Sequence, residues 1–320
     1  MTIEKPEIGE RHTRLRAGAE FDVVRQFLLR WGDAARGIGD DAVLLSQMPA
    51  GRLVATTDSS VENVHFRREW LDSREIGYRA AAAALSDLAA MGASPVGILA
   101  ALILPPRWVS EAGALADGIG DAARAAGAEV VGGDLSSGTE LAITISALGV
   151  VEQPLLRSNA RAGDHVYVTG RLGGAGAAVR AFLAGDTPSP AHRERFAHPV
   201  PRIREAGWLA ERGVRAAIDI SDGLIADLQQ VAAASEVAIT IELGAIPTMD
   251  GVSSLDGAGS GEEYELALTS RVELDTGEFA RRFGVELSRI GNVEEGAPGV
   301  ILRDGDTTVD PPPGYLHFSK

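Results

Sequence analysis

The chain has 320 residues, 45% of them hydrophobic, enough for two domains or one large one with a substantial core. Its net charge of −15 argues against a broad nucleic-acid or anionic-membrane surface, and the absence of cysteine excludes disulfides, thiolate zinc sites and Cys nucleophiles. Only two of the 30 basic side chains are lysines, Lys5 and Lys320, which excludes a Walker A, protein-kinase or Schiff-base lysine inside the fold.

Phosphates, if handled at all, must then be held by metal ions, arginines and backbone N–H groups. No 18-residue apolar run exists, and Met1 to Glu20 is charged without an apolar core, so neither a membrane span nor a signal peptide is expected. A cysteine-free chain of this kind fits a cytoplasmic protein.

Phe21 to Trp31 has apolar residues at helical spacing. Gly37-Ile38-Gly39-Asp40-Asp41 leads into an apolar strand, Ala42 to Leu45, and by itself reads as a turn. Leu53 to Thr57 reads as a strand ending at Asp58, with His65 and Phe66 following. Arg79 to Pro95 reads as a helix in which ten of the twelve residues from Ala80 to Met91 are apolar. A helix apolar on all sides is buried, so Asp87 within it must pair, bind a metal or take up a proton. Its neighbours at i±3 and i±4 are Ala83, Ala84, Ala90 and Met91, which supply no cation.

Gly97 to Leu104 is an expected strand, and Ala112 to Ala126 a helix stopped by Gly127. Glu129 to Val131 reads as a short strand that delivers Asp134 beside Gly132 and Gly133, and Leu141 to Val151 as a longer one. A domain boundary is placed near Pro154, giving domains 1–151 and 152–320. In the second half, strand His165 to Thr169 meets a glycine-rich turn, Gly170 to Gly176, that opens a helix. The turn lacks the G-x-G-x-x-G spacing of a dinucleotide loop and reads as a tight strand–helix connection. Residues 185 to 202, with four prolines, read as loop. Ala216 to Asp219 is a strand, and Ser221 or Asp222 caps a helix from Leu224 to Ala234. A strand at Val237 to Leu243, a glycine-rich loop at Gly257 to Gly261 and Glu262-Glu263-Tyr264-Glu265 follow, and a proline-stiffened arm carries Tyr315.

Asp41, Asp58, Asp87, Asp134, Asp219 and Asp222 each stand at or beside the end of an apolar element. Gathered in one cleft they would repel unless cations were bound. An all-oxygen set favours Mg²⁺ or Mn²⁺, and Mg²⁺ usually completes its shell with water and substrate phosphates. The pattern points to a metal-bridged nucleoside triphosphate.

The ordered set Gly37–Leu44, Thr56-Thr57-Asp58, Leu85–Ala93, Gly132-Gly133-Asp134, Arg157-Ser158, Asp219–Leu224, Gly261–Leu266 and Gly314-Tyr315 resembles the thiamine-monophosphate kinase family. That family lies within the aminoimidazole ribonucleotide synthetase superfamily. The resemblance implies two α/β domains and a homodimer formed through the N-terminal sheets. It implies transfer of the γ-phosphoryl of ATP to thiamine monophosphate, the last step of thiamine diphosphate synthesis. Asp41, Thr56, Thr57, Asp58, Asp87, Asp134, Asp219 and Asp222 would hold Mg²⁺. Gly133, Asp134, Arg157 and Ser221 would contact ATP, and His65, Glu262 and Tyr315 would face the acceptor. Asp87, Asp222 and Arg157 would carry catalysis. Two segments depart from the family pattern, Leu135-Ser136-Ser137-Gly138 and Ser260-Gly261-Glu262-Glu263-Tyr264. Relatives that work through a reactive cysteine or selenocysteine are disfavoured because cysteine is absent.

Overall fold

A computed structural model describes residues 19–35, 50–312 and 314. Two of the residues singled out above, Asp41 and Tyr315, lie outside them, as does the expected strand at 42–45. The chain divides into two compact units, the first of residues 1–85 and 95–150, the second of 86–94 and 151–320.

In the first unit, helix α1 (Ala19–Trp31) precedes β1 (Arg52–Val61), α2 (Ser73–Ala90), β2 (Ser94–Ile103), α3 (Ala112–Ala126), β3 (Glu129–Ser136) and β4 (Ala142–Val151). The strands order as β1-β4-β2-β3, with β2 and β3 parallel and a register shift between Ile98 and Leu99. Along β2, Ile98, Ala100 and Leu102 are buried while Leu99, Ala101 and Ile103 are not. Along β4, Ile143, Ile145 and Ala147 are buried while Thr144 and Ser146 are half-exposed. This period of two gives the sheet one covered face and one open face. Glycines let α2 and α3 cross almost backbone to backbone. A Cβ on Gly77 would stand 2.1 Å from the Leu115 carbonyl oxygen, and one on Gly118 would stand 1.9 Å from that of Arg74. Trp31 locks α1 onto α3 by donating Nε1–H to the Ala116 carbonyl at 2.7 Å.

Helix α2 begins six residues before the expected Arg79 and ends at Ala90; its last five residues belong to the second unit. Two strands are longer than their apolar runs suggest. β1 continues past Asp58 to Val61, and β3 runs through both glycines and Asp134 to Ser136. Backbone pairing, not side-chain polarity, decides where a strand stops.

The second unit continues with β5 (His165–Thr169), α4 (Gly174–Ala184), α5 (Pro190–Ala197), α6 (Ile203–Glu211), β6 (Ala216–Asp219), α7 (Leu224–Ser235), β7 (Ala238–Glu242), α8 (Ser254–Ala258), β8 (Leu266–Ser270), α9 (Thr276–Phe283), β9 (Leu287–Glu294), β10 (Gly299–Asp304) and β11 (Thr307–Val309). Its seven strands order as β11-β10-β7-β9-β5-β8-β6. Only β7 and β10 pair in parallel; the remaining pairs are antiparallel. Both faces of this sheet are buried. Val166, Val168, Ala216, Ile218 and Ala267 join α7 in one cluster. Their neighbours Tyr167, Ala217, Leu266 and Leu268 join α6, α9 and Ala89 and Ala90 of α2 in another. Residues 185 to 202 are not all loop: Ser189 accepts the His192 N–H and Pro190 opens α5, the usual roles of an N-cap and a first-turn proline.

Candidate functional site

Alternation along β6 places its last residue. Ala216 and Ile218 face one cluster and Ala217 the other, so Asp219 shares the face of Ala217, where the last turn of α2 packs. Asp219 is buried at 4% exposure, and Ser86 Oγ donates to its Oδ2 at 2.8 Å. Burial first, then the charge of Asp87, raises the Asp219 carboxyl to about 7, against the opposing pull of Ser86 and Arg157. Asp87 itself is half-buried. Two carboxylates from elements far apart in sequence therefore repel each other at one edge of the second unit's core.

The turn after β6 is built differently from the sequence expectation. Neither Ser221 nor Asp222 caps α7; the N-cap residue is Gly223, without a side-chain cap. Asp227, one turn inside the helix and 1% exposed, reaches back instead. Its Oδ2 accepts the N–H groups of Ser221, Asp222 and Gly223 at 3.0, 3.1 and 3.1 Å. Burial, then Asp219 and Asp222, raises this carboxyl to about 7 as well. Asp227 was not anticipated. The signal available was the one that exposed Asp87, a lone acid among apolar helical neighbours.

The segment 262–265 is zipped to the same turn. Glu262 N–H donates to the Ser221 carbonyl at 2.7 Å, and Glu263 and Tyr264 donate to that of Ile220 at 3.1 and 2.9 Å. Glu262 and Tyr264 adopt left-handed backbone, at φ of 64° and 52°. Such strain costs about 1–3 kcal/mol per residue and persists only where the surroundings enforce it. Glu263 does so here. It is fully buried, and its Oε1 accepts N–H from Gly173 and Ala175 at 2.9 and 3.1 Å and O–H from Ser260 at 2.6 Å. Arg195 pairs with its Oε2 at 3.1 Å. The glycine turn before α4 thus presents its N–H groups to an internal carboxylate. Glu265, also buried, pairs with Arg195 and Arg202. Burial alone would push its carboxyl up, but the two arginines and the Arg202 and Thr169 hydrogen bonds bring it below the usual range.

Arg157 is exposed and donates Nη1–H to Gln230 Oε1 at 2.7 Å. In the first unit, Asp58 and Asp134 occupy β1 and β3, the two edge strands among the described residues. Three strand spacings, roughly 14 Å, separate those edges, so one copy of the sheet does not bring the two acids together. Thr57 faces away from Thr56 and Asp58, with its Oγ1 3.1 Å from Ser146 Oγ. Gly133 must be glycine, because a Cβ there would stand 1.9 Å from the Ala100 carbonyl oxygen. His65 is half-buried, and its Nδ1 accepts the Val61 N–H at 3.1 Å, which puts the ring proton of the neutral form on Nε2. Among the described residues no three acidic or histidine side chains stand at metal-ligand spacing.

The chain matches the AIR synthase related protein N-terminal domain over residues 39–151 and the C-terminal domain over residues 161–303. Thiamine-monophosphate kinase of Rhodopirellula baltica is 36% identical over 88% of this chain and 91% of its own length. The chain belongs to the thiamine-monophosphate kinase family. The crystal structure of the Stenotrophomonas maltophilia thiamine-monophosphate kinase is 32% identical, with a TM-score of 0.78, covering 90% of this chain and 96% of that one. A complex of AaThiL with AMPPCP and TMP is 30% identical, with a TM-score of 0.74, covering 83% of this chain and 87% of that one. The two-domain fold expected for the family is the one observed, and this member is an enzyme.

Proposed function

We propose that the chain transfers the γ-phosphoryl group of ATP directly to the phosphate of thiamine monophosphate, giving thiamine diphosphate and ADP. Family membership and a relative's complex with AMPPCP and TMP support this reading. The observation that carries the site is the repelling pair Asp87 and Asp219, whose carboxylates are best accommodated by a cation.

The residues fit Mg²⁺. The donors are all oxygen, and Mg²⁺ is commonly held by one or two carboxylates plus substrate phosphates, so a three-carboxylate cage is not required. Asp87, Asp219 and Asp222 would hold it in the second unit; Thr56, Asp58 and Asp134, with Asp41, are the family-matched ligands of the first, to which Thr57, its hydroxyl turned to Ser146, would contribute its backbone carbonyl. When bound, Mg²⁺ supplies charge neutralisation between two anionic phosphates. The acceptor is already anionic, so no side chain need abstract a proton. Arg157, Ser221, Gly133 and Asp134 would orient ATP, with Arg157 the cation among them. Glu262, held in a left-handed conformation beside Ser221, would face the acceptor together with His65 and Tyr315.

The open face of the first unit's sheet supports pairing of two copies. It carries Leu53 and Ile103 at 60% and 45% exposure beside the hydroxyl pairs Thr57–Ser146 and Ser59–Thr144. No helix among the described residues is long and apolar enough to cross a membrane. We assign the enzyme to the cytoplasm.

The deciding experiment measures ADP release from ATP with and without thiamine monophosphate. Release only with the acceptor is expected. Equal release without it, or none in either case, contradicts the assignment.

A further inference from the structure

A cavity of about 310 Å³ in the second unit is lined by Arg161, Arg215 and Arg271 together with Asn159, Asp164 and Thr269. It lies away from the turn that carries Asp222. In the β6–β8 register Asp219 pairs with Leu266 while Ala216 pairs with Thr269. Three residues of strand, roughly 10 Å, separate the two ends.

The three guanidinium groups are anchored by neutral acceptors. Arg161 Nη1 donates to the Ser158 and Ala160 carbonyls at 3.0 and 2.8 Å, and Arg271 Nη1 to that of Ala162 at 2.9 Å. Arg215 Nη1 donates to Gln153 Oε1 at 2.5 Å. Among the described residues none of the three forms an ion pair with a carboxylate. That is notable in a chain with 45 acidic against 30 basic side chains. The acid in the lining, Asp164, is buried, and its Oδ2 already accepts the Arg161 backbone N–H at 3.0 Å and the Thr269 hydroxyl at 3.2 Å. Each guanidinium has five N–H donors in a rigid fork and spends only one nitrogen on the protein. All three arginines are exposed, so their spare donors face water that an anion would replace.

We propose that this cavity is a second anion site that binds a phosphoryl group. Forked guanidinium donors match phosphate oxygens bidentately. Three forks around one space call for more acceptor oxygens than the two of a carboxylate. The volume reaches the range of small-ligand pockets. The lining includes none of the residues assigned to the kinase reaction, although Arg157 stands two residues before Asn159, and the site does not depend on that assignment.

Isothermal titration of the full chain with pyrophosphate, ADP and malonate tests it, comparing wild type with the Arg215→Ala/Arg271→Ala double variant. The expected result is a phosphate-ligand component at least tenfold weaker in the double variant, retained in Arg157→Ala and not reproduced by malonate. ADP binding more tightly than pyrophosphate in that component makes the ligand a nucleotide, and the reverse makes it an inorganic phosphate; both uphold the site. Turnover of ATP with thiamine monophosphate should be unchanged in the double variant. If the alanine pair does not fold, the lysine pair, which keeps the charge and loses the fork, is expected to weaken binding in the same direction. Binding equal in wild type and variant, malonate binding as well as pyrophosphate, or no binding of any probe at millimolar concentration overturns the proposal.

Discussion

Ser86 Oγ hydrogen-bonds Asp219 Oδ2 at 2.8 Å, joining positions 133 residues apart. The bond ties the last turn of α2 to the end of β6 and leaves Asp219 beside Asp87. It also offsets part of the burial penalty on Asp219. The remainder appears as a raised carboxyl, and this has a direct consequence for stability.

Asp219 and Asp227 each titrate near 7 in the folded chain, against 3.8 ordinarily. The folded state therefore holds protons that the unfolded state has released throughout that window. Stability falls as pH rises from about 4 to about 7 wherever the native state binds more protons. Without divalent ions we expect the unfolding free energy to drop over this range, by roughly 4 kcal/mol for each of the two carboxyls. Asp219→Asn should flatten the slope, and Mg²⁺ at pH 8 should restore stability to wild type more than to the variant. Urea titrations at pH 5 and pH 8 measure this; an identical slope in wild type and variant sinks the account.

Asp87→Asn should abolish turnover while the fold survives. The change removes a charge that repels Asp219, so the metal-free variant is expected to unfold at a slightly higher temperature than wild type. Near-normal activity with unchanged Mg²⁺ dependence would make Asp87 a structural residue only.

Asp227→Ala deletes the acceptor of three N–H groups, that of Gly223 buried and those of Ser221 and Asp222 part-buried. Leaving such donors unpaired costs about 1–3 kcal/mol each before water enters, so a loss of roughly 3 kcal/mol is expected. Asp227→Asn keeps one acceptor oxygen and should lose less. In that milder variant kcat should fall at saturating ATP, because the 221–223 turn carries Ser221 and Asp222. A stable Asp227→Asn protein with wild-type kcat would restrict Asp227 to capping.

Glu263→Ala would leave Arg195 with Glu265 as its one carboxylate partner and strand the N–H groups of Gly173 and Ala175. Removing one partner of a buried ion pair costs about 3–5 kcal/mol. We expect little soluble protein at 37 °C, and recovery with Glu263→Gln should be partial. Thermal melts of the three proteins check the order.

The sequence carried the site wherever an acid interrupts an apolar run. Asp87 and Asp219 were legible because neither has a local reason to be there. Asp227 obeys the same rule, but beside Ser221-Asp222-Gly223 the usual expectation of a forward cap masked it. Helix α5 was signalled by Ser189-Pro190, yet the proline count of its surroundings suggested loop. Asp58 and Asp134 were assigned to strand ends, and the structure puts them inside β1 and β3 on opposite sheet edges. Strand order is a long-range property, and no local pattern reports it. The buried Glu263–Arg195 and Glu265–Arg202 pairs were illegible for the same reason, since their partners are more than 60 residues apart.

The last prediction concerns the route of the phosphoryl group. The chain has no cysteine, and its two lysines stand at the chain ends. The other buried carboxylates of the second unit are committed elsewhere: Asp227 to the turn, Asp164 to the Arg161 N–H and Thr269, and Glu205, Glu263 and Glu265 to arginines. Asp219 accepts from Ser86 and, with Asp87 beside it, favours a cation over a covalent phosphate, which would add further negative charge. We therefore expect direct transfer from ATP to the acceptor with no phosphoenzyme. EDTA should abolish turnover, and activity should keep rising with Mg²⁺ beyond the amount that saturates ATP. Arg157→Ala should raise the KM for ATP more than it lowers kcat. Incubation with γ-labelled ATP and no acceptor, followed by intact-protein mass analysis, is the direct measurement. Unmodified protein is the expected outcome; label held on the chain and chased into thiamine diphosphate when acceptor is added would replace this mechanism with a two-step one.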